Sequence, residues 1–503
     1  MHSANNSASS AVRGPEGDQA APLPLNWSVK LLYGVGQVSE GLKTGAFGVF
    51  LLFYYSQVLG LSATLTGIAV AIALVFDAVT DPLAGSISDR FRSRFGRRHP
   101  FMYASAIPLG VGFFFLFAPP DDLSQWSLFF WLVGFAIFTR ASMTLFNVPH
   151  LSLGAELSSD YAERTTVVGV RYFFNTFGAL LAVAAGFGVF FVATSEFPQG
   201  QFNKEQYPDY ALLLSFVMVA VILLSALGTQ KQALTLSQPP SDWRSRHGLF
   251  AQLWHELVEA LGNYSFRWVF VGVLLVFLMV GVDVSLNLYM NTFFWELEGK
   301  QNLAYFMAAP LGVMLGTLFT GLITRRFGKL NAVLWGVGGW IASQCLPILL
   351  RVAEFLPANG DALLVAGLIG LKFVQGLFVA QCLVSFGSMI ADIVDEHELV
   401  THRRQEGIFF AAVSFSSKCT TGLGNLFAGI ALDVIGWPEG AHIRTAADIA
   451  PETITHLGLL FGPALALVGI LSLWCYSHYQ IDRTRHAEIC AQLAERRLAL
   501  AKA

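Results

Sequence analysis

Asp77 and Asp81 stand four residues apart in "FDAVTDP", directly after the apolar run "GIAVAIALV". On a helix that spacing puts both carboxylates on one face. A carboxylate near a bilayer centre costs roughly 3 kcal/mol or more if nothing compensates it. Two neighbours also repel, so both do not stay ionised and unpaired. A proton, a bound cation or a basic partner each compensates the charge. A hard cation such as Na⁺ suits oxygen ligands, and a proton suits a carboxylate of raised pKa; either makes the pair a coupling-ion site. The plainer alternative is a static ion pair or a hydrogen-bonded helix end. Pro82 follows at once, and its missing N–H frees a carbonyl one turn back.

Other polar residues interrupt apolar stretches. Lys418, in "SFSSKCTTG", is the natural basic partner. It either reports ion or solute occupancy or forms a permanent salt bridge. Glu40 and Lys43 lie three apart and can pair with each other. Arg140, Thr144 and Asn147 form one stripe, Arg171 and Asn175 another, and Asp283, Asn287 and Asn291 a third, with Tyr289 and Trp295 nearby. Lys372, Gln375 and Gln381 interrupt a further run. Polar stripes on membrane helices usually face the bundle interior, as binding groups or as interhelical glue. Arg267 and Glu296, near run ends, read as snorkelling anchors. GxSxG, HExxH and GxxxxGK[ST] are absent from the hydrophilic segments, so the reading is of a non-enzyme with no cofactor and no direct use of ATP.

The elements that must position these residues are membrane helices. Of 503 residues, 54% are hydrophobic and 13% charged, against about 25% charged in a soluble domain. The mean hydropathy is +0.56. A net charge of −3 gives no reason to expect nucleic acid as a partner. Five cysteines form no CxxC and no Cys/His cluster in sequence, so neither a disulfide framework nor a zinc site is expected. A spanning helix needs roughly 20 apolar residues. Twelve such spans are expected, near 29–59, 65–88, 101–118, 127–153, 166–193, 210–228, 265–294, 303–324, 331–351, 362–391, 407–435 and 455–478. Lys and Arg concentrate in the even-to-odd connections and the C-terminal tail, which predicts both termini inside. The first 25 residues lack a signal-peptide core and read as a disordered cytoplasmic tail.

The polar connection at 229–264 ends in an amphipathic stretch, "LFAQLWHELVEAL", and divides the spans into bundles at 26–228 and 265–480, with a tail at 481–503. The halves echo each other. "GSISDRFRSRFGRR" and "GLITRRFGK" each close a second span, and "LGAELSSDYAER" and "MIADIVDEHE" each close a fourth. The predicted fold is all-α: twelve transmembrane helices in two pseudo-symmetric six-helix bundles, the major facilitator layout, with solute near the midplane. Asp89, Arg90, Arg97, Arg98, Arg325 and Arg326 in the basic turns are candidates for a cytoplasmic gate, the alternative being positive-inside anchors.

"KLLYGVGQ", "FLLFYYSQVLGL", "FDAVTDPLAGSISDR", "SRFGRRHPFM", "NVPHLSLGAEL" and "ADIVDEHELVTHRRQEGIFFA" together resemble the glycoside–pentoside–hexuronide:cation symporter family over residues 26–485. The resemblance implies uptake coupled to Na⁺, Li⁺ or H⁺ by alternating access. It implies a cation site at Asp77, Asp81 and Thr144 with Lys418 nearby. The span-5 arginine that the family uses for sugar matches Arg171. The two sugar-binding aspartates of its melibiose-transporting members fall on Gly41 and Asn147, and the lysine before the first becomes Glu40. A site without those acceptors discriminates against galactosides.

The expected function is therefore symport of a monovalent cation with a sugar, glycoside or related solute. Candidate solute contacts are Glu40, Arg140, Asn147, Arg171, Asn175, Asp283, Asn287 and Asn291. The alternative is a lysophospholipid or other lipid-like solute, which animal relatives with the same aspartate pair carry. A non-transporting receptor is disfavoured, because a sensor need not retain an ion site. The expected setting is a plasma membrane, the inner membrane in a bacterium, with lipid around a monomer.

Overall fold

The computed structural model describes residues 25–158, 161–234, 261–402, 406–440 and 443–502. The expected N-terminal tail up to residue 24, the amphipathic stretch up to residue 260, and Arg403 and Arg404 lie outside the described residues, as do the side chains of Asp89, Arg90 and Cys419. Backbone polar groups in a bilayer must be satisfied within their own segment, so an apolar chain of this length folds as helices. Among the described residues, ten helices are long and apolar enough to cross a membrane. They include span 2 (Ala63–Ser88), span 4 (Gln125–Gly154), span 8 (Gly299–Phe327) and span 10 (Ala362–Thr401); the helices of spans 2 and 4 run on past the membrane segment to Arg90 and Glu156. Span 1 and span 11 complete the twelve. Span 1 is broken at Gly36–Gln37 into Trp27–Val35 and Val38–Ala46, and continues through π-helical turns at Phe47–Leu51 and Tyr54–Val58. Span 11 is Glu406–Val434. The even count puts the start of span 1 and the end of span 12 on one face, called here the terminal face; the other is the distal face.

Span 10 runs ten residues past its expected end at 391. "DIVDEHELVT" is too polar to lie in hydrocarbon but remains helical to a left-handed His402. A second difference follows span 12 (Pro451–Tyr476): the C-terminal segment is a helix, Arg483–Lys502, packed against the end of span 10. Pro82 lies inside an uninterrupted helix.

Small residues let membrane helices approach closely. Gly41 and Gly45 set span 1 against span 5: a Cβ on Gly41 would lie 2.0 Å from the Asn175 carbonyl oxygen. Between the halves, Gly67, Gly422 and Gly429 set span 2 against span 11; a Cβ on Gly429 would lie 2.2 Å from the Ala63 carbonyl oxygen.

At the distal face the halves are joined. The Ser56 and Tyr289 hydroxyls are 2.7 Å apart, Trp437 Nε1 donates to Gln57 at 2.9 Å, and Gln201 donates to Thr292 at 3.0 Å. Phe53, Phe202, Tyr289, Phe293 and Trp437 form one aromatic layer across the same seam.

Candidate functional site

The expected ion-site residues converge where spans 2, 4 and 11 meet. Asp77 and Asp81 share a face of span 2, as their spacing requires. Arg140 Nη1 donates to Asp77 Oδ2 at 2.6 Å, and Thr144 Oγ1 donates to Asp81 Oδ1 at 2.7 Å. Lys418, from the other half, pairs with Asp81 Oδ2. Both acids thus have a basic partner, and Asp81 is held by both halves at once. The remaining oxygen, Asp77 Oδ1, is buried without a hydrogen-bond partner.

The two pairs differ in setting. The Arg140 and Asp77 side chains are only 6% and 11% exposed, whereas Lys418 is 49% exposed. A lysine at mid-span is not stable against hydrocarbon, so its exposed side faces a polar cleft between the halves.

One turn along span 4 from Thr144, Asn147 Oδ1 accepts from Gln37 Nε2 at 3.0 Å. Gln37 sits at the break in span 1 and also meets His150 Nδ1 at 3.1 Å. His150 stacks on Tyr33 with ring centroids 4.2 Å apart. Gln37 and His150 were not among the sequence candidates. The signal for Gln37 is the break itself, because discontinuous membrane helices gather at binding sites. Glu40 pairs with Lys43 at 2.8 Å, as their spacing suggested. Arg171 lies against the Tyr33 hydroxyl and over the Tyr172 ring, and Asn175 contributes its backbone to the span 1 contact.

The third stripe lies in the C-terminal half. Lys372 Nζ donates to Asp283 Oδ2 at 3.0 Å, and both side chains are over nine-tenths buried. Lys372 also lies 5.3 Å from the Tyr305 ring centre. Asn287 Oδ1 and both amide atoms of Asn291, on the same helix, are buried without partners. Gln375 donates to Gln344 in the same interior.

At the terminal face the sequence echoes prove to be two ends of one contact, made once in each half. Arg97 and Arg98 pair with Glu156 Oε1 at 2.7 and 2.6 Å, and Arg98 also reaches Ser88. Lys329 pairs with Asp392 at 2.7 Å, with Tyr479 Oη donating to the same carboxylate. Gly96 and Gly328, both at φ +87°, make the turns that present these bases. Burial pushes the Glu156 carboxyl up, but its hydrogen bonds to Arg98 and Arg97 outweigh that and hold it below the ordinary value. Among the gate candidates, Arg97 and Arg98 are in this clasp. Arg325 and Arg326 enter no ion pair among the described residues; Lys329, four and three residues on, takes that position.

Residues 32–483 match the model of a family described as MFS/sugar transport protein. The chain is 26% identical to a putative glycoside/cation symporter of Escherichia coli, YagG, over 95% of this chain and 97% of that protein. It is also 26% identical to the sodium-dependent lysophosphatidylcholine symporter 1 of Gallus gallus, over 91% of this chain and 87% of that protein. The solved nucleoside transporter NupG superposes with a TM-score of 0.59 at 13% identity, covering 89% of this chain and 98% of that one. A model match over nearly the whole chain, on a twelve-span two-bundle fold, means that the chain belongs to the MFS/sugar transport protein family and is a membrane transporter, not an enzyme.

Proposed function

We propose that the chain is a cation-coupled symporter of a sugar or glycoside, with Asp81 as the exchangeable carboxylate. The observation that carries this reading is the sharing of Asp81 between Thr144 of its own half and Lys418 of the other. Arg140 holds Asp77 in a buried pair, so one carboxylate is left to exchange its partner. The incoming cation displaces Lys418 and takes oxygens from Asp81, Thr144 and the unpartnered Asp77 Oδ1. That predicts one monovalent cation per solute. Displacing Lys418 leaves one carboxylate charge uncompensated, because Asp77 keeps Arg140, and one monovalent cation neutralises it. Releasing Lys418 breaks the one mid-membrane ion pair described between the halves, which couples ion binding to their rocking.

The solute lies beside the ion, against Gln37, Asn147 and Arg171, with the Glu40–Lys43 pair at the rim. Amides both donate and accept and so suit sugar hydroxyls. The sequence expectation of a lost sugar carboxylate at Gly41 gains a physical reason, because the Asn175 carbonyl leaves no room for any side chain there. The two six-helix halves at 26–228 and 265–480 act as the rocking bodies. The Lys/Arg distribution assigns the terminal face to the cytoplasm, so the joined distal face makes this an inward-facing state.

A second reading, a lipid-like solute, draws on a different observation. Spans 2 and 11 pack along their length, whereas spans 5 and 8 meet mainly near the distal face. Tyr172, Phe173 and Phe177 on span 5 and Leu311, Met314 and Leu318 on span 8 are exposed. The test is uptake into proteoliposomes of methyl glycosides, pentoses and lysophosphatidylcholine, each with an inward Na⁺ gradient, an inward H⁺ gradient or neither. Accumulation of a glycoside or pentose only with a gradient supports the leading reading. Gradient-driven lysophosphatidylcholine uptake without sugar uptake replaces it with the second.

A further inference from the structure

We propose that Asp395, His486 and Cys490 form a binding site for a divalent metal ion of the Zn²⁺ class, fastening the C-terminal helix to the end of span 10. His486 and Cys490 lie four apart on the helix Arg483–Lys502 and so share one face. Asp395 stands on the polar extension of span 10, opposite that face. His486 Nε2 is 3.4 Å from Asp395 Oδ2 and 3.6 Å from Cys490 Sγ. The three donor atoms all lie within 4.8 Å of one another. Tetrahedral bonds of roughly 2.0–2.3 Å place ligand atoms roughly 3.3–3.8 Å apart, so the two shorter separations already match the edges of such a site.

The donor set selects the metal. One imidazole, one thiol and one carboxylate suit a borderline ion such as Zn²⁺, whereas Mg²⁺ and Ca²⁺ require oxygen alone. Cys490 is exposed, and the His486 and Asp395 side chains are 32% and 24% exposed, so an ion can enter from water. Asp392 Oδ1 lies 3.2 Å from the same His486 nitrogen. Lys329 already engages both Asp392 oxygens, so that residue borders the site and links it to the terminal-face clasp. The four-residue spacing of His486 and Cys490 is visible in the sequence, but Asp395 is about 90 residues away and only the packing of the C-terminal helix brings it to them. Binding converts a helix resting on span 10 into one held there by coordination, since metal affinity acquired only in the folded state is stability.

The test uses the full-length protein in detergent, without a polyhistidine tag and stripped with chelator. Titration with Co²⁺ is expected to give a thiolate-to-metal charge-transfer band saturating at one ion per chain, and Zn²⁺ is expected to displace it. Cys490→Ser removes the band, His486→Ala weakens Co²⁺ binding by at least about tenfold, and Cys345→Ser, at a cysteine in span 9, keeps the band. Because Cys490 is exposed, its replacement by serine leaves the fold intact, which circular dichroism checks. Absence of the band, its survival in Cys490→Ser, or unchanged affinity in His486→Ala overturns the proposal. None of these outcomes bears on symport.

Discussion

In the N-terminal half, Asp81 divides its oxygens between Thr144 and a half-exposed Lys418 of the other half. In the C-terminal half, Asp283 is closed over by Lys372 of its own half, with both side chains buried. Both are acid–base pairs inside a membrane bundle. They differ in what can happen next. A pair open to a cleft and bridging two bodies can exchange its partner at modest cost. A pair buried within one body cannot, because separating it leaves an uncompensated charge in low dielectric. The terminal-face clasps, Arg97/Arg98–Glu156 and Lys329–Asp392, show the same scaffold repeating one contact in both halves. The mid-membrane charges show it diverging.

The largest expected effects test that contrast directly. Asp81→Asn is expected to reduce gradient-driven accumulation on the order of 100-fold while solute exchange and melting temperature persist. Asp283→Asn is expected to do the reverse, destabilising the fold by about 3–5 kcal/mol with ion dependence retained in the protein that folds. If the two variants behave alike in accumulation and thermal-melting assays, the contrast is broken. Gly41→Asp is expected to cost about 1–3 kcal/mol through overpacking and to confer no galactoside uptake, since the Asn175 carbonyl fills that space.

A smaller effect concerns the clasp. The Glu156 carboxyl titrates below its ordinary value of 4.5 when folded. Its stabilising contribution is therefore complete above pH about 4.5 and is lost as pH falls through the lowered folded value. Thermal melting against pH should show Glu156→Gln losing stability at neutral pH and converging on the parent in acid. The smallest effect is expected for Lys204→Ala. Its partner Asp121 is exposed at the distal face, and neither uptake nor melting temperature should change measurably.

Much of this was legible in the sequence. The four-residue spacing of Asp77 and Asp81 fixed their common face, and apolar run length gave the twelve spans. Lys418 was identifiable as a partner because few basic residues stand at mid-span. Arg140 was visible as part of a polar stripe, but its pairing with Asp77 was not, because that depends on how far apart spans 2 and 4 cross. The helical extension of span 10 past 391 was not foreseen, since hydropathy reports where the bilayer stops and not where the helix does. The C-terminal helix was missed for the same reason. The echo between the halves was read as two separate repeats, and only packing revealed them as partners.

The coupling ratio tests the central claim most directly. For a solute identified by the uptake panel, its equilibrium accumulation in proteoliposomes can be measured against imposed gradients of Na⁺ or H⁺ of known size. An accumulation ratio that tracks the gradient of one ion with unit slope is the predicted result, because only Asp81 is free to exchange. A slope near zero, or near two, would contradict it.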